Sequence, residues 1–342
     1  MTKVAVVILN WNGEKLLNEF LPQVIANSQV EGVEIIVADN ASTDASIQLL
    51  KTKFPTLSII QLDKNYGFTG GYNRALKQVK AEHIVLLNSD IAPAPNWLPP
   101  LIEEMDAYSQ TAICVPKIKS YREPAYFEYA GAAGGFIDKY GFPFCRGRIF
   151  NEIEEDKGQY NQSGAIFWAS GAALMIRSKL FFECGGLDED FFAHMEEIDL
   201  CWRLKNRGYQ VKYIANSEVY HLGGATLDYQ NPRKVYLNFR NNLFLLVKNI
   251  GKHKLLLKLT QRMLLDGIAA VKFLVSGEFR NISSVFMAHL SFYRLFGKMY
   301  RKRLNNLKKV KTTRHKEIYT KSVIVQFFIK NKKKFSELEG LG

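Results

Sequence analysis

The sequence is poor in cysteine, lacks a long apolar run and contains no internal repeat. Its four cysteines are far apart and form no Cys-x-x-Cys pair, which argues against a zinc site and against a disulfide framework. We therefore expect reduced, buried thiols in a cytoplasmic protein. No stretch approaches the ~18 uncharged apolar residues of a membrane-spanning helix. No basic and apolar leader precedes the first apolar run, so we expect no secretion signal.

Charge is distributed unevenly along the 342 residues. The formal net charge is +13, yet residues 231–342 contain 25 lysines and arginines against 5 acidic residues, and residues 1–230 have a net charge of −7. This division indicates an acidic globular body and a basic extension directed at a polyanion, either a membrane surface or nucleic acid. The length suits one large domain with an appendage, or two domains.

Strand and helix patterns alternate over the first ninety or so residues. Four short apolar runs, "VAVVILN", "VEIIVAD", "LSIIQL" and "HIVLLN", are separated by segments with helical or glycine-rich patterns. Repeats of this length predict an α/β fold with a parallel sheet covered by helices on both faces. Ligands of such sheets bind beyond the carboxyl ends of the strands, so the informative residues lie where the strands end.

Each of these strand ends is polar. The ends are Asn10, Asp39, Asp63 to Asn65, and Asn88 to Asp90. Four such ends at one edge of a sheet describe a polar cleft that tolerates phosphate. Asp39 has two compatible readings, a helix N-cap or an acceptor for a base N–H or a ribose hydroxyl.

A glycine-rich loop, "NYGFTGGYNRA", follows the third strand. Gly67, Gly70 and Gly71 let the backbone approach a ligand and expose amides at a helix start, where anions are favoured. Asn65, Asn73 and Arg74 add hydrogen-bond donors. The loop lacks the Lys-Ser/Thr pair of a Walker loop and does not follow the first strand, so it fails the dinucleotide fingerprint. An ordinary glycine-rich turn is the alternative.

Acidic residues cluster again downstream, in "GGLDEDFFAHMEEIDLCWRLKNRGYQ". Glu196, Glu197 and Asp199 crowd the first turn of a predicted helix, where the helix dipole favours them and where a general base is also possible. Mg²⁺ or Mn²⁺ at a nucleotide needs only one or two carboxylates, because phosphates and water fill the other positions. Asp90 meets that need if a second ligand arrives. His221, which ends a strand before a Gly-Gly turn, is the candidate.

Taken in order, these segments closely resemble the inverting glycosyltransferase family 2, which has the GT-A fold, and in particular its rhamnosyltransferase-like branch. The resemblance covers roughly residues 3–245, and its segments are specific through their order and spacing. They are "VVILNWNG", "VADNASTD", "NYGFTGGYNRA", "LLNSD", "FFAHMEEIDLCWR", "VYHLGG" and "YLNFRNNLFLL". The implied fold is a Rossmann-like, mostly parallel sheet with helices on both faces, followed by a basic, mainly helical extension.

The resemblance assigns a role to each candidate residue. It assigns the nucleotide-sugar to Asn10, Trp11, Asp39, Asn65, Gly67, Gly70, Gly71, Asn73, Arg74 and Asn88. It implies that Asp90 binds a divalent metal (Mg²⁺ or Mn²⁺), with His221 as a second ligand. Glu197 occupies the position of the general base, flanked by Glu196 and Asp199. Asn88 replaces the first Asp of the family's metal motif, and Glu197 replaces the usual Asp of the base.

The resemblance also implies an activity and a domain division. The activity is transfer of a sugar, with inversion, from a UDP- or dTDP-linked donor to a hydroxyl of a glycan or lipid-linked glycan in surface polysaccharide synthesis. Residues 1–230 would form the catalytic domain, with a nucleotide-sugar half (1–120) and an acceptor half (121–230), and 231–342 the extension. The glycine- and aromatic-rich segment 127–177 resembles a mobile flap.

The basic extension contains two patterns. Residues 252–275 show a narrow polar stripe on an otherwise apolar helix, which suits the membrane interface or packing on the catalytic body. "KMYRKRLNNLKKVKTTRHK" adds a dense cationic patch that anionic lipid would attract. No nucleic-acid recognition module is present, so nucleic acid is not expected as a partner. Because relatives often use lipid-linked acceptors, we expect a cytoplasmic protein bound peripherally to the inner face of the plasma membrane.

Two other functions remain open from the sequence. A nucleotidyltransferase shares the sheet and a metal-bound nucleotide, but "LNWNGEKLL" lacks the basic, glycine-rich loop that such an enzyme needs near its first strand. A catalytically inactive protein that binds nucleotide sugars or a membrane surface is the second alternative, and Asn88 is the residue that favours it.

Overall fold

A computed structural model describes residues 2–223 and 231–341. The strands are β1 Thr2–Asn10, β2 Val33–Asp39, β3 Ser58–Gln61, β4 Ala81–Asn88, β5 Ile91–Pro93, β6 Thr111–Ser120, β7 Gly135–Asp138, β8 Pro143–Cys145, β9 Arg148–Ile149, β10 Glu152–Ile153, β11 Gly164–Ile166, β12 Ala173–Arg177, β13 Gln210–His221 and β14 Ile318–Tyr319. The helices are α1 Glu14–Asn27, α2 Ser46–Lys53, α3 Gly67–Ala75, α4 Leu98–Ala107, α5 Ser178–Glu183, α6 Glu196–Asn206, α7 Pro232–Asn249, α8 Leu255–Val275 and α9 Phe279–Leu307. All four strands predicted from the first apolar runs are present.

The main sheet has the order β11-β13-β6-β12-β4-β1-β2-β3, with β5 paired to β13. Strands β3, β2, β1 and β4 are parallel, whereas β12 runs antiparallel to both β4 and β6. The register places Asn10 opposite Asp39 and Leu9 opposite Asn88. The polar strand ends therefore meet at one edge of the sheet, and the α/β fold class is confirmed.

Helices cover both faces of this sheet because its strands are apolar on both sides. In β1, Val4, Val6 and Ile8 pack into one core cluster, which also contains apolar residues of α1 and α4. Ala5 and Val7 point into the other cluster, with residues of α3, α6 and α7. Alternation between two buried faces is the reason that β1 reads as a continuous apolar run.

A second sheet contains the strands β10-β9-β8-β7-β14. Its first four strands come from the segment that we predicted as a flap, so that prediction was incomplete. Its edge strand β14 comes from the C-terminal extension and lies parallel to β7, with Ile318 opposite Ile137. The buried carboxylate of Asp138 accepts a hydrogen bond from the backbone N–H of Val323 at 3.0 Å. The extension therefore completes a sheet of the body.

The helices of the extension also pack on the body. Lys302 on α9 forms ion pairs with Asp188 and Asp190, and Lys298 contacts Asp190 at 2.6 Å. Within the described part of the chain, no helix is long and apolar enough to cross a membrane. Gly224 of the predicted Gly-Gly turn lies outside the described residues, and the boundary between 230 and 231 stays a prediction.

Candidate active site

The ends of β1 and β2 are joined by hydrogen bonds between Asn10, Asp39 and Ser42. The Asn10 side-chain amide donates to Asp39 Oδ1 at 3.0 Å and to Ser42 Oγ at 3.2 Å. Asp39, which is buried, also accepts from the Ser42 backbone N–H at 2.9 Å and from its hydroxyl at 2.6 Å. The residue after Asn10, Trp11, is 55% exposed, so its ring is accessible at the carboxyl ends of the strands.

Position 13 requires glycine because its backbone lies against the Asn10 side chain. A Cβ at Gly13 would lie 2.3 Å from Asn10 Oδ1, and this oxygen is buried with no hydrogen-bond partner in the described structure. A buried acceptor of this kind costs about 1–3 kcal/mol unless something donates to it. The Asn10 side-chain oxygen is thus a buried acceptor without a donor at the end of β1.

Asn40 connects β2 to the glycine-rich loop, a link that the sequence analysis missed. Its amide donates to Asn65 Oδ1 at 2.9 Å and to the Gly67 carbonyl at 3.1 Å, and its oxygen accepts from the Tyr66 N–H at 3.0 Å. Asn65 in turn accepts from the Gly67 N–H at 2.8 Å. A polar residue directly after a strand end was the available signal. The loop is therefore held in one conformation before any ligand binds.

The glycines of this loop have different structural roles. Gly67 begins α3 with φ +70°, a backbone region that favours glycine. A Cβ at Gly71 would lie 2.9 Å from Leu9 Cδ1, and one at Gly70 would lie 3.0 Å from an Arg74 guanidinium nitrogen. Gly70 and Gly71 thus allow α3 to approach the protein's own side chains closely.

Asn73 and Arg74 connect α3 to residues 187–196, which are called the acidic segment below. The Asn73 side chain donates to the Leu187 carbonyl at 2.7 Å and accepts from the Leu187 N–H at 2.9 Å. The Arg74 guanidinium donates to Glu189 at 2.9 Å and stacks 3.7 Å from the centre of the Tyr66 ring. These contacts make both residues parts of the wall between the loop and the acidic segment.

Asp90, His221 and Glu128 form a buried cluster past the end of β4. His221 Nε2 lies 3.2 Å from Asp90 Oδ1, and His221 Nδ1 lies 3.4 Å from Glu128 Oε1. Burial alone would lower the pKa of His221, but the contacts with Asp90 and Glu128 outweigh it and raise this pKa to about 10. The sequence analysis missed Glu128, because it lies on a loop with no motif around it.

Asp90 and His221 bring a carboxylate and an imidazole, two ligand types for divalent cations, to within 3.2 Å of each other. A histidine ligates a metal only as the neutral imidazole, so with its pKa raised to about 10 His221 would have to release a proton before it could serve as a ligand. Glu128 lies 3.4 Å from His221 Nδ1, which is buried without a hydrogen-bond partner in the described structure. Among residues 2–223 and 231–341, no group of three or more His, Cys, Asp or Glu side chains is arranged to hold a metal.

The acidic segment has an unusual backbone just before α6. Phe192, His194 and Met195 have φ values of +68°, +68° and +72°, in the left-handed region, where each non-glycine residue costs about 1–3 kcal/mol. Asn241 on α7, which is fully buried, opposes this cost. Its side-chain amide donates to the carbonyls of Phe191, Ala193 and His194 at 3.0, 2.8 and 2.8 Å.

Arg240 adds a second set of bonds to the same segment, to the carbonyls of Asp190 and Phe191 at 3.1 and 2.9 Å. The Asn241 side-chain oxygen accepts from this guanidinium at 2.8 Å. The Arg-Asn pair of α7 thus fixes the conformation of the acidic segment. The sequence analysis matched this helix to a family pattern but assigned it no function.

The three carboxyls at the start of α6 have different environments. Burial raises the pKa of Glu197 to about 7. The pKa of Glu196 is raised well above its usual range, by burial and by the neighbouring carboxyl of Glu197. One carboxylate oxygen of each is buried without a hydrogen-bond partner in the described structure. Asp199 is fully buried, and it accepts from Arg203 at 2.8 Å, Lys248 at 2.7 Å and Asn249 at 2.8 Å. Burial opposes ionisation of Asp199, but the two cations lower its pKa.

Glu197 lies close to the strand ends. Its Cβ is 3.9 Å from the position of a Cβ on Gly171, and Phe68 of the glycine-rich loop is 3.5 Å from the same point. The next residue, Ala172, accepts a hydrogen bond from the Asn88 backbone N–H at 2.9 Å. Packing therefore places the Glu197 backbone beside the end of β4 and beside the glycine-rich loop.

The family assignment rests on the sequence profile of "Glycosyl transferase family 2", which matches residues 5–182, more than half of the chain. The chain belongs to glycosyltransferase family 2. The match begins in β1 and ends in α5, so it includes the polar strand ends, the glycine-rich loop and Asp90.

Relatives of this family 2 glycosyltransferase include two rhamnosyltransferases. The N-acetylglucosaminyl-diphospho-decaprenol L-rhamnosyltransferase of Mycobacterium tuberculosis is 25% identical over 55% of this chain and 66% of its own length, just under two thirds. Rhamnosyltransferase WbbL of Escherichia coli is 24% identical over 64% of this chain and 83% of its own length. The rhamnosyltransferase-like resemblance is thus confirmed at modest identity.

Solved structures show the same fold. GalNAc-T7, crystallised with UDP, GalNAc and Mn²⁺, superposes with a TM-score of 0.55 at 15% identity, covering 70% of this chain and 47% of that one. The mannosyltransferase PcManGT from Pyrobaculum calidifontis, in complex with GDP-Man and Mn²⁺, has a TM-score of 0.53 at 14% identity, covering 90% and 85%. At these identities the likeness concerns the fold alone.

Proposed function

We propose that this family 2 enzyme is an inverting glycosyltransferase that uses a UDP- or dTDP-linked sugar and a hydroxyl of a glycan or lipid-linked glycan, in surface polysaccharide synthesis. The observation that carries the proposal is Glu197, a carboxyl with a pKa raised to about 7 and positioned beside the strand ends. A base with a pKa near the working pH is the most effective one for taking a proton in the transition state. The two rhamnosyltransferase relatives support the same class of reaction.

The proposed reaction is a single displacement. Glu197 takes the proton of the acceptor hydroxyl as that oxygen forms a bond to the anomeric carbon. The bond from this carbon to the phosphate oxygen breaks on the opposite side, the nucleoside diphosphate leaves with the electron pair, and the configuration inverts. No covalent sugar intermediate is required.

Glu196 and Asp199 have other roles in this proposal. Burial and the neighbouring Glu197 raise the pKa of Glu196 well above the usual range, which disfavours its charged form. Asp199 stays ionised, but its bonds to Arg203 and Lys248 make it part of the scaffold that supports α6. Environments that separate the pKa values of neighbouring carboxyls assign their functions, and here they favour Glu197 as the base.

The nucleotide end of the donor is proposed to bind at the strand ends. Trp11 offers an exposed ring to the base, and the buried Asn10 oxygen offers an unsatisfied acceptor. The Asn40-bonded loop at Gly67 presents the start of α3 toward the phosphates, where the helix dipole favours anions. Asn88 lies at the adjoining end of β4.

The divalent ion, Mg²⁺ or Mn²⁺, is proposed to be held by Asp90 and by His221 after the imidazole has lost its proton. When bound, such an ion neutralises charge on the leaving diphosphate. The residues themselves hold the ion and supply net negative charge at the end of β4. The domain division at residue 230 and the cytoplasmic, peripheral location belong to the same proposal.

The decisive experiment compares Glu197→Gln with the wild type. Both are incubated with UDP-, dTDP- and GDP-sugars, a divalent metal and candidate acceptors, and the release of nucleoside diphosphate is measured. We expect Glu197→Gln to bind the donor normally, as measured by thermal shift, and to lose transfer by about 10²–10⁴-fold. Glu196→Gln is the matched control and should retain activity, since Glu196 is not the base in this proposal.

Two results would contradict the proposal. Near-normal turnover by Glu197→Gln would remove Glu197 from the role of base. Donor binding without any release of nucleoside diphosphate by the wild type would favour the alternative of an inactive binding protein, which Asn88 keeps open.

A further inference from the structure

The helices α8 and α9 each expose an apolar stripe. On α8 the stripe is Leu257, Leu264, Ile268, Val271 and Val275, which are 59–84% exposed. On α9 it is Phe279, Phe286, Leu290, Tyr293 and Leu304, which are 47–67% exposed. Within each helix these residues recur at spacings close to whole helical turns, so each set lies on one face.

The two stripes lie on helices that pack against each other, and together they are called the apolar surface. A turn of only three residues, 276–278, joins the helices, so they run antiparallel side by side. The Tyr293 hydroxyl, on the α9 stripe, lies 3.5 Å from the sulfur of Met263, the neighbour of Leu264 on the α8 stripe. A monomer rarely exposes so many large apolar side chains on one face unless that face contacts a partner or a membrane.

The opposite face of the hairpin is fixed to the body by buried polar contacts. Asp266 accepts from Arg262 at 2.7 Å and contacts His289 of α9 at 3.2 Å. The Arg262 guanidinium also donates to Asn242 of α7 and lies 3.7 Å from the centre of the Phe142 ring. The apolar surface therefore points outward as a consequence of specific contacts on the inner face.

The charges around the apolar surface have almost one sign. The exposed lysines and arginines of segment 251–309 are Lys252, Lys254, Lys272, Arg280, Arg294, Lys298, Arg301, Lys308 and Lys309, of which Lys298 is already paired with Asp190 of the body. Glu278 is the single exposed acidic residue in the described part of that segment, where Asp266 is fully buried. A second copy of this chain would bring the same positive charges and be repelled, whereas an anionic surface would be attracted.

We propose that the apolar surface of the α8–α9 hairpin binds the headgroup region of an anionic lipid bilayer, with both helices parallel to the membrane plane. Burial of the apolar stripes and attraction of the flanking cations are the two contributions that hold an interfacial helix at a membrane. Each basic residue near an anionic surface adds about 1 kcal/mol. The proposal is independent of the catalytic role of Glu197.

The test is flotation of the full chain with vesicles of phosphatidylcholine, with and without phosphatidylglycerol. We expect the wild type to float with the anionic vesicles and to be released by high salt, because salt shortens the Debye length from about 10 Å at 0.1 M to about 3 Å at 1 M. Ile268→Glu/Val271→Glu should lower the vesicle-bound fraction at least about tenfold. Tyr108→Glu, a change at a residue 59% exposed on the body, is the matched control and should float like the wild type.

A second measurement does not depend on how well the acidic variants fold. Brominated lipids should quench the tryptophan fluorescence of Val271→Trp more than they quench that of Tyr108→Trp. Wild type that fails to float with anionic vesicles, or no extra quenching in Val271→Trp, would overturn the proposal. A stable dimer that Ile268→Glu/Val271→Glu dissociates would assign the surface to self-association instead. Because none of these measurements requires turnover, an inactive enzyme would leave their outcome unchanged.

Discussion

Replacing Asn241 with alanine should reduce catalysis without a matching loss of overall stability. The side-chain amide of Asn241 supplies donors to three carbonyls of the acidic segment, at 2.8–3.0 Å. A buried carbonyl that loses its donor costs about 1–3 kcal/mol, so the observed backbone of this segment would lose about 2–4 kcal/mol. The left-handed residues Phe192, His194 and Met195 would then relax toward ordinary backbone angles.

The expected size of the effect follows from that free energy. At 1.36 kcal/mol per factor of ten, a loss of about 2–4 kcal/mol reduces the population of the observed loop by at most about 30- to 1000-fold. We expect kcat for Asn241→Ala to fall at least about tenfold, because the segment leads directly into Glu197. Relaxation also exposes Glu197 to water, so the inflection of its pH–rate profile should move below the pH of the wild type.

The assay is transfer under saturating donor, measured over a range of pH, with Asn242→Ala as the control. Asn242 is the next residue of α7, is equally buried, and donates to the Gly141 carbonyl at 2.6 Å without contacting the acidic segment. Both variants should lose some melting temperature, but only Asn241→Ala should shift the pH profile. If the two variants have the same kcat and the same pH profile, the reasoning about the acidic segment is refuted.

Four further predictions follow from the geometry. Transfer by the wild type should rise with pH to a plateau above about 7, because Glu197 acts only when ionised; a rate that falls through this range would contradict it. Because the pKa of Glu197 is raised on folding, its contribution to stability is fully present below pH 4.5 and is lost as the pH rises through about 7. Glu197→Gln should therefore raise the melting temperature at pH 8 but not at pH 4. EDTA should abolish sugar transfer by the wild type. Added Mn²⁺ should restore transfer by the wild type but not by Asp90→Ala, and full activity in EDTA would refute the metal proposal. Gly71→Ala should cost about 1–3 kcal/mol in denaturant unfolding, because its Cβ meets Leu9 at 2.9 Å, and unchanged stability would show that α3 can move away.

Local sequence patterns were sufficient to predict the sheet edge and its polar ends. The run from Val4 to Leu9 is apolar on both faces and short, which favoured a buried parallel strand that ends at Asn10. Asp90 and His221 are far apart in sequence, yet both end strands of the predicted sheet, and the structure places them 3.2 Å apart.

Long-range contacts account for what the sequence did not predict. The positions of Glu128 and Asn241 depend on a loop and a helix that take their places only in the folded chain. Glu128 has no motif around it, and the family-like segment that contains Asn241 predicted no function for it. The second sheet was missed because its strands are two to four residues long and one of its partners comes from near the C-terminus. Short strands carry too few residues for alternation to be recognised.

The pairing of β14 with β7 constrains the order in which the protein can be assembled. Ile318 and Tyr319 leave the ribosome about 180 residues after Ile137 and Asp138, their partners in the register. Until then β7 has an unpaired edge, which is a site where another chain can add. Translation must therefore pass residue 319 before that edge is covered, and a chain that stops shortly after α9 would keep it open permanently.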